Sequence, residues 1–109
     1  MAWTRLELLL IGALACLVAD VASAQISPSA QRGRTFAIVN CSSCHSIDKA
    51  TPSPLSIAPP FRDLHRRYPV ESLEESLAEG IVTGHPAMPE FQLPPDQIGD
   101  FVNFLKTLE

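Results

Sequence analysis

Two thiols and an imidazole stand within one turn of backbone at Cys41-Ser42-Ser43-Cys44-His45. On a helical turn, side chains three apart lie on one side of the chain. Each thiol can then add across one of the two vinyl groups on a porphyrin rim. The next residue, His45, is placed over the same face and can offer Nε2 to iron. C-x-x-C-H is the attachment pattern of c-type haem, and the geometry explains why those residues are needed at that spacing. Three plainer readings compete. A thioredoxin-like redox pair also uses C-x-x-C, but beside a βαβ unit, and no strand pattern of useful length is visible here. A zinc centre needs four ligands, and no second paired motif supplies them. A disulfide across so short a loop would be strained and of little stabilising value. The expectation is one haem, attached covalently through Cys41 and Cys44, with His45 as an axial ligand.

An iron used for electron transfer usually carries a second protein ligand, commonly His or Met. Met88 is the one methionine besides Met1, and it lies in Gly84-His85-Pro86-Ala87-Met88-Pro89-Glu90-Phe91. Flanking prolines stiffen that loop, so it can hold a thioether without a helix behind it. Met88 is therefore expected as the second axial ligand, which raises the reduction potential relative to a second histidine. His85, three residues away, is the rival ligand, and a gap-filling core role is the plain alternative for Met88. His65, on an Arg-rich segment, is expected at the surface or near the haem propionates.

The N-terminus bears on the compartment. Arg5 precedes an apolar run from Leu8 to Ala19, shorter than the roughly 20 residues a membrane-spanning helix needs. Ala22-Ser23-Ala24 has the small-x-small form of a signal-peptidase site. Residues 1–24 are expected to be a cleaved signal peptide, leaving 25–109 as the domain, without a membrane span and exported to the periplasm. Lipid attachment at Cys16 is the alternative. In that oxidising setting two free thiols should be consumed by something. The formal net charge of −4 gives no electrostatic footprint for nucleic acid.

The elements that must position these residues read as all-α. A helix is expected from Ala30 to about Cys41, with Phe36, Ala37 and Val39 near one another. Its Gly33 costs about 1 kcal/mol relative to alanine, acceptable where another backbone must approach closely. Ser46 to Pro60 is loop, rich in proline and serine. Phe61 to Tyr68 forms a short helix stopped by Pro69. Leu73, Leu77 and Ile81 repeat at helical spacing between Val70 and Ile81, with Glu71, Glu74, Glu75 and Glu79 facing elsewhere. Thr83 to Pro95 is a second proline-broken loop. A last helix runs from Pro95 to Leu108, with Ile98, Phe101, Val102, Leu105 and Leu108 as its apolar stripe. So small a chain buries little core, and a large apolar cofactor would supply the missing surface.

The chain resembles the class I c-type cytochromes, specifically small bacterial monohaem members, over essentially all of residues 25–109. Gly33-Arg34-Thr35-Phe36-Ala37 leading into Cys41 is similar to the family's N-terminal helix, whose glycine packs on the C-terminal helix, where Phe101, Phe104 and Leu105 would meet it. Ala58-Pro59-Pro60-Phe61 resembles the Gly-Pro-x-Leu segment, whose proline carbonyl accepts a hydrogen bond from the ligand histidine. Pro59 is the implied holder of His45. His85 to Phe91 is similar to the methionine-ligand loop. Ala58 in place of glycine and the long Ser46–Ile57 loop depart from the pattern. So do the absence of a tryptophan after residue 24 and the scarcity of lysines, Lys49 and Lys106 being the only ones. Arg62, Arg66, Arg67, His65 and Tyr68 are left as candidates for the propionates.

The resulting expectation is a small cytochrome c fold of three to four helices around one haem. It would be a monomer that moves single electrons between periplasmic or membrane-associated redox partners by transient docking, with no bond-making catalysis. Two rivals stand beside it: a haem enzyme or gas sensor with a labile sixth ligand, and a permanent cytochrome subunit of a larger oxidase or dehydrogenase.

Overall fold

The computed structural model describes residues 25–82 and 87–109. The expected signal peptide, Cys16 and His85 lie outside those residues. Helix α1 spans Pro28–Asn40 and starts two residues before the expected position. The reason is local. Ser27 caps it, its Oγ accepting from Ala30 N at 3.1 Å, and Pro28 supplies a preset φ in the first turn. At the other end no glycine stops the helix. Instead Asn40 Nδ2 donates to Phe36 O at 3.0 Å and Ser42 Oγ donates to Ile38 O, so side chains bond carbonyls of the final turns.

A loop leads to a 3-10 helix at Phe61–Arg66, then a 3-10 turn at Val70–Ser72 that runs into α2, Leu73–Glu79. The expected Val70–Ile81 helix is thus split and shortened. Gly80 ends it with a φ of 104°, a conformation open to glycine and costly to other residues. Helix α3 spans Pro95–Lys106. Among the described residues there is no strand, only one antiparallel bridge between Ile81 and Phe91. The domain is all-α, as expected, and no described helix is long and apolar enough to cross a membrane.

The core is built where α1 crosses α3. Ile98, Phe101, Val102, Phe104, Leu105 and Leu108 of the C-terminal segment are all buried, with Leu64, Val70 and Leu77 packed against them. The buried face of α1 is small: Ala30, Gly33 and Ala37. Val39, expected beside Phe36 and Ala37, is 75% exposed. Close approach of α3 selects the face bearing Ala30, Gly33 and Ala37, and Val39 falls off it. At the crossing, a Cβ on Gly33 would run into Asp100 O and come within 2.6 Å of Asp100 C and 2.9 Å of Phe101 Cα.

Asp100 is also the polar clasp of the crossing. Its carboxylate accepts from Arg32 Nε and Nη2 at 2.7 and 2.8 Å and from Ser29 Oγ at 2.6 Å. Asn103 Nδ2 donates to the same Ser29 Oγ at 2.9 Å. Hydrogen bonds from Arg32 and Ser29 hold the Asp100 carboxyl below its usual range. A depressed folded pKa makes this clasp fully effective above the unfolded value of about 3.9 and lost as pH falls through the folded one. Asp100→Asn should therefore destabilise the protein at pH 7, with the gap from wild type closing below about pH 4. Denaturant midpoints at several pH values measure that gap. An unchanged gap at low pH would place the effect in packing rather than in charge.

Candidate functional site

The C-x-x-C-H segment continues the chain directly out of α1. Cys41 N donates to Ala37 O at 2.9 Å, and His45 N donates to Cys41 O, also at 2.9 Å, which coils residues 41–45 into one further turn. Both thiols are half-buried and unpaired. Burial pushes the Cys41 thiol up to about 11, so at neutral pH it is a protonated thiol rather than a thiolate ligand. Among the described residues no three His, Cys, Asp or Glu side chains gather as a metal site. There is no βαβ unit among them either, the setting in which a thioredoxin-like pair sits.

His45 Nδ1 lies 2.8 Å from Pro59 O. A carbonyl can only accept, so Nδ1 carries the proton and donates, which leaves the lone pair on Nε2. Pro59 reaches this position because the loop is stitched to the motif on both sides of it. Leu55 N donates to Cys44 O at 3.1 Å and Phe61 N to Ser46 O at 2.9 Å. The Phe61 ring packs on the imidazole, centroids 4.9 Å apart. The loop itself is folded around Arg62, whose Nη1 donates to Thr51 O at 2.7 Å, Ser46 Oγ at 3.2 Å and Asp48 O at 3.3 Å. Hydrogen bonds from Thr51 and Ala50 pull the Asp48 carboxyl down to about 2. Arg62, one of the propionate candidates, is thus engaged in holding this loop. Its spacing from Ser46 gave no sign of that in the sequence. His65 is half-buried rather than simply at the surface, and its buried Nδ1 has no hydrogen-bond partner among the described residues.

Met88 is half-buried in the loop before α3. The neck of its loop is well defined. Ile81 N donates to Phe91 O at 2.9 Å and Leu93 N to Leu77 O at 2.8 Å, while Gln92 Nε2 donates to Ala78 O at 3.2 Å. The structure therefore brings Cys41, Cys44, His45 and Pro59 together and anchors the neck of the methionine loop on α2.

The donor set suits a covalently held haem. It comprises two unpaired thiols on one turn, an imidazole whose Nδ1 is engaged by the Pro59 carbonyl, and exposed apolar side chains on the two loops. Ile57, two residues before Pro59, is 62% exposed, and Val82, at the entry to the methionine loop, is 76% exposed. The family model described as Cytochrome c matches residues 30–109. No curated protein and no solved structure matches the chain.

Proposed function

Since the chain belongs to the cytochrome c family, whose members are electron-transfer haem proteins and typically electron carriers rather than enzymes, we propose that it is an exported monohaem electron carrier. In this reading Cys41 and Cys44 would hold one haem, His45 and Met88 would ligate its iron, and the Pro59 carbonyl fixes the tautomer and plane of His45. When bound, the haem supplies one-electron Fe(III)/Fe(II) chemistry. The single observation that carries the reading is the 2.8 Å contact between His45 Nδ1 and Pro59 O on the turn that presents both thiols. It fixes the imidazole so that Nε2 is the nitrogen left to ligate a metal, the arrangement usual for a metal-ligating histidine.

The chain's own contribution is to orient and to saturate. With a protein ligand on each face, no coordination position is left for a substrate, which separates a carrier from a haem enzyme or gas sensor. Export through cleavage after Ala24 and operation in the periplasm belong to the same proposal. So do brief contacts with protein redox partners, across an interface at the low end of protein contacts. The decisive experiment matures the full chain in a haem-attaching host. The pigment should stay with the polypeptide in acidified organic solvent, and its mass should equal residues 25–109 plus one haem. Cys41→Ser and Cys44→Ser together should release it. A colourless product, or pigment that extracts from the wild type, sinks the proposal.

One observation favours a second reading, a permanent subunit of a larger oxidase or dehydrogenase. Ile38 and Val39, immediately before the haem-binding turn, are 43% and 75% exposed, and exposed apolar neighbours mark contact surfaces. Size exclusion of the native extract distinguishes the two. A free shuttle elutes at the size of one small domain, and a subunit elutes with its complex.

A further inference from the structure

The two loops that present His45 and Met88 are far apart in sequence, yet one continuous set of aromatic rings joins them. Phe61 lies on the His45 imidazole at 4.9 Å and a 37° tilt. Phe61 meets Phe101 of α3 at 5.8 Å and 76°. Phe101 meets Phe36 of α1 at 5.6 Å and 70°. Phe36 meets Phe91 at 6.2 Å and 75°. All four separations fall in the range of favourable aromatic pairs, and the three Phe–Phe contacts are edge-to-face, the arrangement the ring quadrupole prefers.

Phe91 is the end of this ladder and also half of the loop neck, since its carbonyl accepts from Ile81 N at 2.9 Å. Met88 is three residues upstream. Gly80 sets the other side of the neck: its φ of 104° turns the chain back, and a Cβ there would come within 2.5 Å of the Glu90 carboxylate. The ring of Phe91 thus ties the neck of the methionine loop to α1, the helix that leads into the haem-binding turn.

We propose that Phe91 is a positioning residue for the Met88 thioether, acting through the Phe91–Phe36–Phe101–Phe61 ladder that ends on His45. This rests on the reading of His45 and Met88 as iron ligands. An aliphatic side chain at 91 can fill core space but cannot meet Phe36 edge to face. Losing the ring frees the neck before it unfolds the domain. A residue that only filled core would lower global stability and leave the ligand no looser than the fold.

The test uses the holoprotein as wild type, Phe91→Leu, Phe91→Tyr and Phe36→Leu, with Leu93→Ala as a control at the same neck but outside the ladder. Two melts are recorded for each: loss of the ferric sulfur-to-iron charge-transfer band, and loss of far-UV circular dichroism. Carbon monoxide binding to the ferrous form is timed in parallel. Phe91→Leu should lose the band well below its unfolding midpoint and bind carbon monoxide at least tenfold faster, and Phe36→Leu should show the same separation. Phe91→Tyr should match wild type, and Leu93→Ala should unfold earlier with band and fold lost together. If band and fold vanish together in both leucine variants and carbon monoxide binding is unchanged, the ladder does not position Met88. A wild type without the band removes the Met88 assignment itself, and the proposal with it.

Discussion

Gly33→Ala should destabilise the protein by about 3 kcal/mol, at the upper end of ordinary overpacking costs, whereas Gly99→Ala should stabilise it by about 0.5–1 kcal/mol. Both glycines sit inside helices that cross each other, and both substitutions raise helix propensity by the same amount. They differ in what the new methyl meets. At Gly33 it meets Asp100 O and the backbone around Phe101 Cα, atoms that cannot rotate away. At Gly99 it meets nothing within 4 Å. Relief at position 33 would need α1 and α3 to separate. That would pull Ser29 and Arg32 off Asp100 and open the packing of Ala30 and Ala37 on Phe101 and Leu105. Denaturant midpoints of the two variants against wild type measure the pair. Two shifts of the same sign would show that the crossing tolerates spreading and that its tightness is not what holds the domain.

The second large effect is expected at Met88. Met88→Ala should abolish the ferric sulfur-to-iron charge-transfer band and open the ferrous protein to carbon monoxide. It should also lower the reduction potential by an amount on the order of 100 mV, a modest share of the roughly 0.8 V over which axial ligands move haem potentials. The direction follows from softness, because a thioether favours ferrous iron more than the water or hydroxide that replaces it. The fold should persist, since Met88 is only half-buried and the neck bonds at Ile81, Phe91 and Leu93 do not involve its side chain. A band and potential that survive the substitution would dismiss Met88 as ligand and turn attention to His85.

The helices of this chain were legible to different degrees, for physical reasons. Helix α3 declares itself through Pro95 and Asp96 at its start and an apolar stripe that the structure buries residue for residue. The stripe of α1 is misleading. Its contact face is made of alanine and glycine, which carry little hydrophobic signal, while the more apolar Ile38 and Val39 face outward. The Val70–Ile81 helix was over-extended because Leu73, Leu77 and Ile81 keep helical spacing across Gly80. The positive φ there breaks the helix, and Ile81 is then used in a bridge to Phe91. Arg62 was the least legible residue of the site. Its work is to donate to the carbonyls of a loop more than ten residues away, and neither its type nor its neighbours announce that.

By itself, the order of residues determines what is local: two thiols and an imidazole on one turn, the helix feeding them, the proline-stiffened loop around Met88, and an all-α chain. Those features depend on bonds and spacings among near neighbours, which any folded form of the segment retains. Tertiary structure alone decides which nitrogen of His45 is left free, how tightly α1 meets α3 at Gly33, and which rings connect the two loops. Each of these is a contact between residues distant in the chain. Its direction is set by where α1, α3 and the Ser46–Pro60 loop come to rest against one another.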